Sequence, residues 1–266
     1  MSAYIGIGGV AKSISQMYIG VDDKAHQVQK AYIGVNGVAR LWYQRGGTLG
    51  RYDVGKTIKI AVDGKDYDWL VVHQGIPDAG IYDTSCNGTW LLMKDIYENR
   101  QWRSSGTNDY ANSTIHSYLN STFLNLLEPN IKNAIKQVKL PYRKGGNTST
   151  IVTSGSNGLS AKIFLLSATE TSFNFPYYMP SGEGAELAYF KGCADDSSDS
   201  KRIAFLDGSA TYWWLRSPFC ADSGYVITID SVGDRSTFAC YDLAGIRPCI
   251  ILPQDATVDG TGHVVA

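Results

Sequence analysis

The sequence predicts an α+β fold: two helices against a small antiparallel sheet with long loops, behind an N-terminal extension of short β-repeats. Three observations predict it. Short apolar or alternating runs bounded by Gly, Asn and Asp mark strands. Two consecutive stretches carry apolar residues at helical spacing. Tyr4-Ile5-Gly6-Ile7 returns as Tyr18-Ile19-Gly20-Val21 and as Tyr32-Ile33-Gly34-Val35, a spacing of 14.

The repeats come first. Each is followed by Ala and a basic or His residue (Ala11-Lys12, Ala25-His26, Ala39-Arg40), and Gly8-Gly9, Asp22-Asp23 and Asn36-Gly37 supply turns. Residues 1–45 therefore read as three β-hairpin-like units. Each is too small to bury a face alone, so they should pack on one another, on the main domain or on another chain. Gln44 to Gly50 reads as a linker, and 46–266 as the second domain. That domain opens with a hairpin, Thr57 to Val62 and Tyr67 to His73 around Asp63-Gly64, followed by the apolar strand Trp90 to Met93. From about Ser113, the residues Ile115, Leu119, Phe123 and Leu126 form one helical stripe. Pro129 suits the first turn of a second helix with Ile131, Ile135 and Val138 inward. Residues 143–160 read as loop, Lys162 to Leu166 as a buried strand, and 172–201 as long and irregular, with solvated acids around Asp195, Asp196 and Asp199. Strands return at Tyr212 to Arg216, Tyr225 to Asp230 and Ile246 to Leu252.

Composition narrows the function. A net charge of −1 gives no basic footprint for nucleic acid. No run approaches a membrane-spanning length, and no secretory leader pattern is visible, so membrane insertion is not expected. Five cysteines without CxxC spacing point to neither zinc nor a disulfide framework. His26, His73, His116 and His263 adjoin no nucleophile motif, and Ser154-Gly155-Ser156-Asn157-Gly158 lacks the lysine and helix of a phosphate cradle. No cofactor, metal or catalytic residue is assigned, and the chain reads as a non-enzyme.

The stretch from Phe219 to Gly245 has an unusual alphabet. It contains no Lys, Glu, Gln, Met or Trp, whereas the other 239 residues hold 37 of these five types. Proportion would place about 4 here. Every residue present belongs to the set encoded by codons ending in C or T with the first two bases free. Randomising the adenines of an AAC codon for Asn would generate that set. Within the stretch Val226, Ile227 and Ile229 keep a strand signal, and Gly233 suits a turn.

On either side stand Trp213-Trp214-Leu215-Arg216-Ser217-Pro218 and Gly245-Ile246-Arg247-Pro248, the latter followed by an apolar strand. With Trp69-Leu70-Val71-Val72, Trp90-Leu91-Leu92-Met93, Ser117-Tyr118-Leu119-Asn120, and Ile163 to Ser167 with Glu170, this motif order resembles the C-type-lectin-fold variable proteins of diversity-generating retroelements. It resembles more narrowly a family common in gut bacteria and their phages, over roughly residues 50 to 253. The resemblance implies a C-type-lectin-like domain. It implies a reverse transcriptase that copies a template with adenine errors into the end of the gene, and a protein that displays many side chains on one scaffold. The N-terminal repeats resemble those of phage tail-associated proteins.

The displayed, ligand-binding positions are then Phe219, Cys220, Ala221, Asp222, Ser223, Gly224, Tyr225, Thr228, Asp230, Val232, Asp234, Arg235, Ser236, Thr237, Phe238, Ala239, Cys240, Tyr241 and Asp242. Tyr225, Thr228, Asp230, Asp234, Phe238 and Tyr241 should form one shallow patch, with aromatics as anchors and Ser, Gly and Asp as adaptable polar contacts. Trp213 and Trp214 point to opposite faces, one into the core and one beneath the binding face. Arg216 and Arg247 read as structural forks that hold carbonyls or an internal carboxylate. The expected partner is a protein or glycan receptor on a target cell. The repeats should join copies of the chain or attach it to a virion after cytoplasmic synthesis. The rival readings are a cell-surface lectin-like adhesin, with or without a calcium sugar site, and a formylglycine-generating type of enzyme using Cys249.

Overall fold

A computed structural model describes residues 4–7, 10–13, 17–28, 30–35, 37–44, 46–104, 107–146, 152–173, 182–193 and 197–265. The expected turn at Gly8-Gly9, Asn36 of the third turn, and Asp195 and Asp196 lie outside the described residues. Each N-terminal repeat is a separate two-stranded antiparallel sheet: Tyr4–Ile7 with Val10–Ser13, Tyr18–Val21 with Lys24–Gln27, and Lys30–Val35 with Val38–Gln44.

The main domain is built on ten strands, β1 (Thr57–Val62), β2 (Lys65–Gln74), β3 (Thr89–Met93), β4 (Glu98–Gln101), β5 (Ile163–Phe164), β6 (Trp213–Pro218), β7 (Tyr225–Ile229), β8 (Arg235–Ala239), β9 (Leu243–Ile246) and β10 (Cys249–Leu252). They form two five-stranded sheets with the orders β5-β10-β3-β2-β1 and β4-β9-β6-β7-β8. Neighbours pair antiparallel, except that β6 and β9 meet parallel at Trp213 and Gly245. The β1–β2 turn uses Asp63 (φ 50°) and Gly64 (φ 71°), the two successive positive φ values that a two-residue hairpin turn demands.

This overturns the predicted fold class. The chain is 39% strand and 17% helix, with one helical segment of 13 residues, so it is not a two-helix α+β domain of C-type-lectin type. That segment runs Thr114–Tyr118, Leu119–Phe123 and Leu124–Leu126, its middle turn wound to π geometry. The Ser113 hydroxyl caps it, accepting from the His116 N–H at 3.1 Å, and Ile115, Leu119 and Phe123 are fully buried. The second helix stops after Pro129–Ala134. Ile135 is already extended, Lys136 donates its N–H to the Ile251 carbonyl at 2.9 Å, and Val138–Leu140 pairs as a strand with Leu159–Ala161. Ile131, Ile135 and Val138 point inward, but the same spacing serves a short helix followed by a strand.

Two more segments differ from expectation. Most of the stretch Gln44 to Gly50, read as a linker, belongs to the domain: Gly47–Thr48 pairs with Thr257–Val258, and Leu49 is fully buried. The run after Gly233 is not a displayed loop but the edge strand β8, zipped to β7 from Tyr225–Ala239 to Ile229–Arg235.

Two buried clusters hold the domain. One gathers Trp69, Trp102, Tyr110, Phe123, Trp214, Val226 and Ile246, and the other Trp90, Phe164, Trp213, Leu215, Ile227, Ile229 and Ile251. Adjacent residues Trp213 and Trp214 thus enter different clusters, as strand alternation requires, and neither is exposed at all. Pro248 interrupts what reads as one strand from Ile246 to Leu252. The chain leaves β9 there and enters the other sheet as β10.

Candidate functional site

The restricted stretch from Phe219 to Gly245 occupies β7, β8, the start of β9 and their connections. Its first loop, 219–224, is held through its backbone. Asn108, fully buried, donates its own N–H to the Ser223 carbonyl at 2.8 Å. Its side-chain nitrogen lies 3.0, 3.2 and 2.7 Å from the carbonyls of Phe219, Asp222 and Tyr225. Its side-chain oxygen accepts from the Gly146 N–H at 2.8 Å. Gly145 packs directly on this segment, since a Cβ there would stand 2.2 Å from the Asp109 nitrogen. These bonds make no demand on the side chains at 219, 222, 223 and 225.

The next connection is fixed the same way. The Cys240 N–H donates to the Gly224 carbonyl, and the Arg103 N–H to the Cys240 carbonyl, both at 2.9 Å. The Gln101 amide donates to the Tyr241 carbonyl at 2.7 Å. Tyr225 and Tyr241 each adjoin a member of the 224–240 bond and stand 39% and 62% exposed. Leu243, 63% exposed, follows them and lines a cleft of about 350 Å³ with Asn99, Arg100, Gln101 and Thr114. At the far end of the β7–β8 hairpin, Gly233 has φ +82° and no room for a side chain, because a Cβ would meet the Asp199 carbonyl oxygen at 2.1 Å. Val232 on that turn is 54% exposed.

Several residues expected on display are not displayed. Thr228 is fully buried opposite Trp214, and its hydroxyl has no hydrogen-bond partner. Ala239 and Cys240 are buried, and burial pushes the Cys240 thiol up to about 11. Phe238 is half-buried, stacked on Tyr212 at 4.7 Å with its edge region near Trp214 at 6.1 Å. The cause is the same throughout: this segment is strand with apolar clusters behind it. The aspartates act locally. Asp222 accepts from Gly224 N–H, Asp230 from Val232 and Asp234 N–H, Asp234 from Arg235 N–H, and Asp242 from Ala239 N–H. They form turns before they form contacts. Nor is there one patch. Ala221, Asp222, Tyr225 and Tyr241 sit at one end of the hairpin. Val232, Asp230 and Asp234 sit at the other, roughly 13 Å away along β7 at the usual strand rise. Phe219, Cys220, Ser223 and Gly224, beside the first group, and Arg235, Ser236 and Thr237, along β8, are half-exposed.

The flanking motif residues build the frame. Arg216, fully buried, grips Glu170 with two bonds of 2.6 Å and reaches the Leu165 and Pro141 carbonyls. Tyr82 donates to the same carboxylate at 2.7 Å. Beside this pair, Ser217 donates to buried Glu183 at 2.5 Å, and burial raises the Glu183 carboxyl. Arg247 lies over the Trp213 ring and donates to the carbonyls of Met93 and Lys94, with its group pulled down to about 10 by burial. Trp214 donates to the Arg100 carbonyl at 2.7 Å, which ties β6 to β4 beneath Phe238.

Sequence reasoning missed Asn108, which lies in an unpatterned loop and carries no motif. It also missed the chain His263–Asp66, where the ring lies 2.8 Å from the carboxylate and 2.7 Å from the Thr261 hydroxyl. That hydroxyl also lies 2.7 Å from Asp259, in a turn that fastens residues 259–263 to β1 and β2. Among the described residues no three His, Cys, Asp or Glu side chains come together around a metal-sized space. Cys249 is fully buried, and burial holds its thiol well above the usual range. No described helix is long and apolar enough to cross a membrane.

No curated protein and no solved structure matches the chain. Residues 87–254, from just before β3 to just beyond β10, match a family described as a domain of unknown function, DUF6273. The match takes in the Asn108 anchor, both flanking motifs and the whole restricted stretch, and covers more than half of the chain. The chain belongs to the DUF6273 family.

Proposed function

We propose that this chain is a non-enzymatic receptor-binding protein whose surface at 219–245 is diversified by a retroelement, acting as a tail-associated component of a phage or prophage virion. The partner is a protein or glycan on the target cell. One observation carries the reading: a loop written in a restricted codon alphabet is anchored through its carbonyls from outside that stretch, by the side chains of Asn108 and Gln101 and the backbone N–H of Arg103. Asn108, Arg103 and Gln101 hold residues 219–225 and 240–241 by bonds that use none of those positions' own side chains. Such a design keeps the backbone ordered before binding, which lowers the entropy cost of association. Tyr225, Tyr241 and Val232 offer exposed apolar area above it. The binding face is narrower than the stretch. It consists of Ala221, Asp222, Tyr225 and Tyr241, extended by Leu243 and the cleft against β4, with Val232 as a second focus.

Sequencing this locus across a bacterial population tests the proposal. Sibling copies should differ at the codons for 221, 222, 225, 232 and 241 and hardly outside 219–245. A nearby adenine-rich near-copy should carry AAC at those codons. Differences spread evenly along the gene would sink the idea. So would Lys or Glu recurring at these positions.

A further inference from the structure

Among the described residues, 13 large apolar side chains stand exposed, and seven of them lie between Tyr18 and Val38. They cover both faces of their hairpins. Tyr18 (55%) points one way, Ile19 (56%) and Val21 (46%) the other; Tyr32 (59%) points one way, Ile33 (50%) and Val35 (39%) the other. Covering one face would leave the other wet. Both strands of each hairpin are also sheet edges. An isolated two-stranded hairpin is marginal in water, so something must cover these. Exposure on both faces shows that the main domain does not.

The pairing register says what does. Gly6 faces Ala11, Gly20 faces Ala25, and Gly34 faces Ala39, the same pair in each repeat. Gly20 and Gly34 have open space above them, with nothing within 4 Å of an added Cβ. Each lies on the same strand face as the tyrosine two residues before it. The second and third repeats thus each carry a protruding tyrosine and, beside it, a flat Gly–Ala seat. The chemistry that fits a tyrosine is present, and so is the tyrosine that fits the seat. Lys30 shares the strand face of Tyr32 and Gly34, and the turn acids Asp22 and Asp23 carry the opposite charge; all three are exposed.

We propose that the N-terminal hairpins are a self-association surface, occupied by the hairpins of further copies of this chain, with tyrosines of one copy seated on the Gly–Ala pairs of another. A series of three repeats at fixed spacing is matched in period by another such series. A self-complementary surface of this kind closes into a symmetric assembly. Copies joined this way would present several binding faces together, which raises avidity without a new contact at the receptor.

The test is the mass of the full-length chain in solution, measured by light scattering across the micromolar range. It needs no receptor, so it stands or falls apart from the proposed function. The chain should run as a multiple of its own mass. Filling the seats with Gly20→Thr and Gly34→Thr should shift half-dissociation about tenfold or more towards higher concentration. Threonine suits a strand and meets nothing here, so a merely structural effect would not weaken the hairpins. Removing the knobs with Tyr18→Ser and Tyr32→Ser should do the same. Val232→Thr, on the other exposed surface, should leave the mass unchanged. A monomeric parent overturns the proposal. So does either double variant that keeps the parent's mass, or dissociation by Val232→Thr.

Discussion

Loop 219–224 and strand β7 are neighbours written in one restricted alphabet, yet they meet opposite conditions. The loop turns Ala221 and Asp222 outward and is fastened through its carbonyls. The strand sends Val226, Ile227 and Ile229 into two apolar clusters and buries Thr228 as well, so both of its faces are fully covered. The difference teaches that a codon alphabet marks where change is permitted, not where it is displayed. A position is free to vary only where the backbone is fixed by something other than its own side chain. Asn108 supplies that for the loop; for β7 the side chains themselves are the fixing.

The comparison can be broken or sharpened by substitution. The largest effect belongs to the frame. Trp214→Ala should cost about 3–5 kcal/mol in a denaturant melt, because it empties the space between Phe238 and β4. A loss no greater than that of a loop substitution would mean the frame is not rigid. Next is Asn108→Ala, which strips the buried donors from the loop carbonyls and should cost about 1–3 kcal/mol. Hydrogen exchange should rise at the Tyr225 and Cys240 amides while Ile227 stays protected. Uniform loosening of loop and strand would erase the distinction drawn between them.

Two smaller effects probe the buried side. Thr228→Val replaces a buried hydroxyl that has no partner and should stabilise the chain by up to about 1 kcal/mol. Destabilisation would show that the hydroxyl is satisfied and that β7 demands Thr. Glu183 has a raised carboxyl pKa in the folded chain, from burial first and in spite of Arg216 and Arg143. Its contribution is therefore complete below the unfolded carboxyl pKa and is lost as pH rises through the folded value. Melting temperatures of the parent relative to Glu183→Gln should fall as pH rises from the ordinary carboxylate range towards neutrality. The opposite slope would mean that the neighbouring arginines win over burial. The smallest change is Tyr241→Asn, expected within about 0.5 kcal/mol because the ring is exposed and only its carbonyl is held.

Much of the frame was legible in the sequence because it rests on local chemistry. Asp63-Gly64 specifies its hairpin turn, and Ile115, Leu119 and Phe123 specify one helix face. A glycine at 233 is required by its left-handed backbone and the Asp199 carbonyl against it. The extent of the second helix is not legible, because the 3.6-residue spacing of Ile131 and Ile135 also fits a short helix that leads into a strand. β8 is not legible, because Arg235-Ser236-Thr237 carries no apolar run and half-exposed edge strands leave only a weak signal.

By itself the sequence determined the repeats, the restricted stretch and the rigid motifs on either side, since each is a matter of period or alphabet. Tertiary structure alone decided which letters of that alphabet reach solvent. Burial of Thr228, Ala239 and Cys240 depends on partners far along the chain, among them Trp214 opposite Thr228 and Arg103 bonded at Cys240. The Asn108 anchor spans over a hundred residues to carbonyls that carry no side-chain signature at all. No local pattern can encode such a contact, because a carbonyl is the same on every residue and only the fold places it within reach.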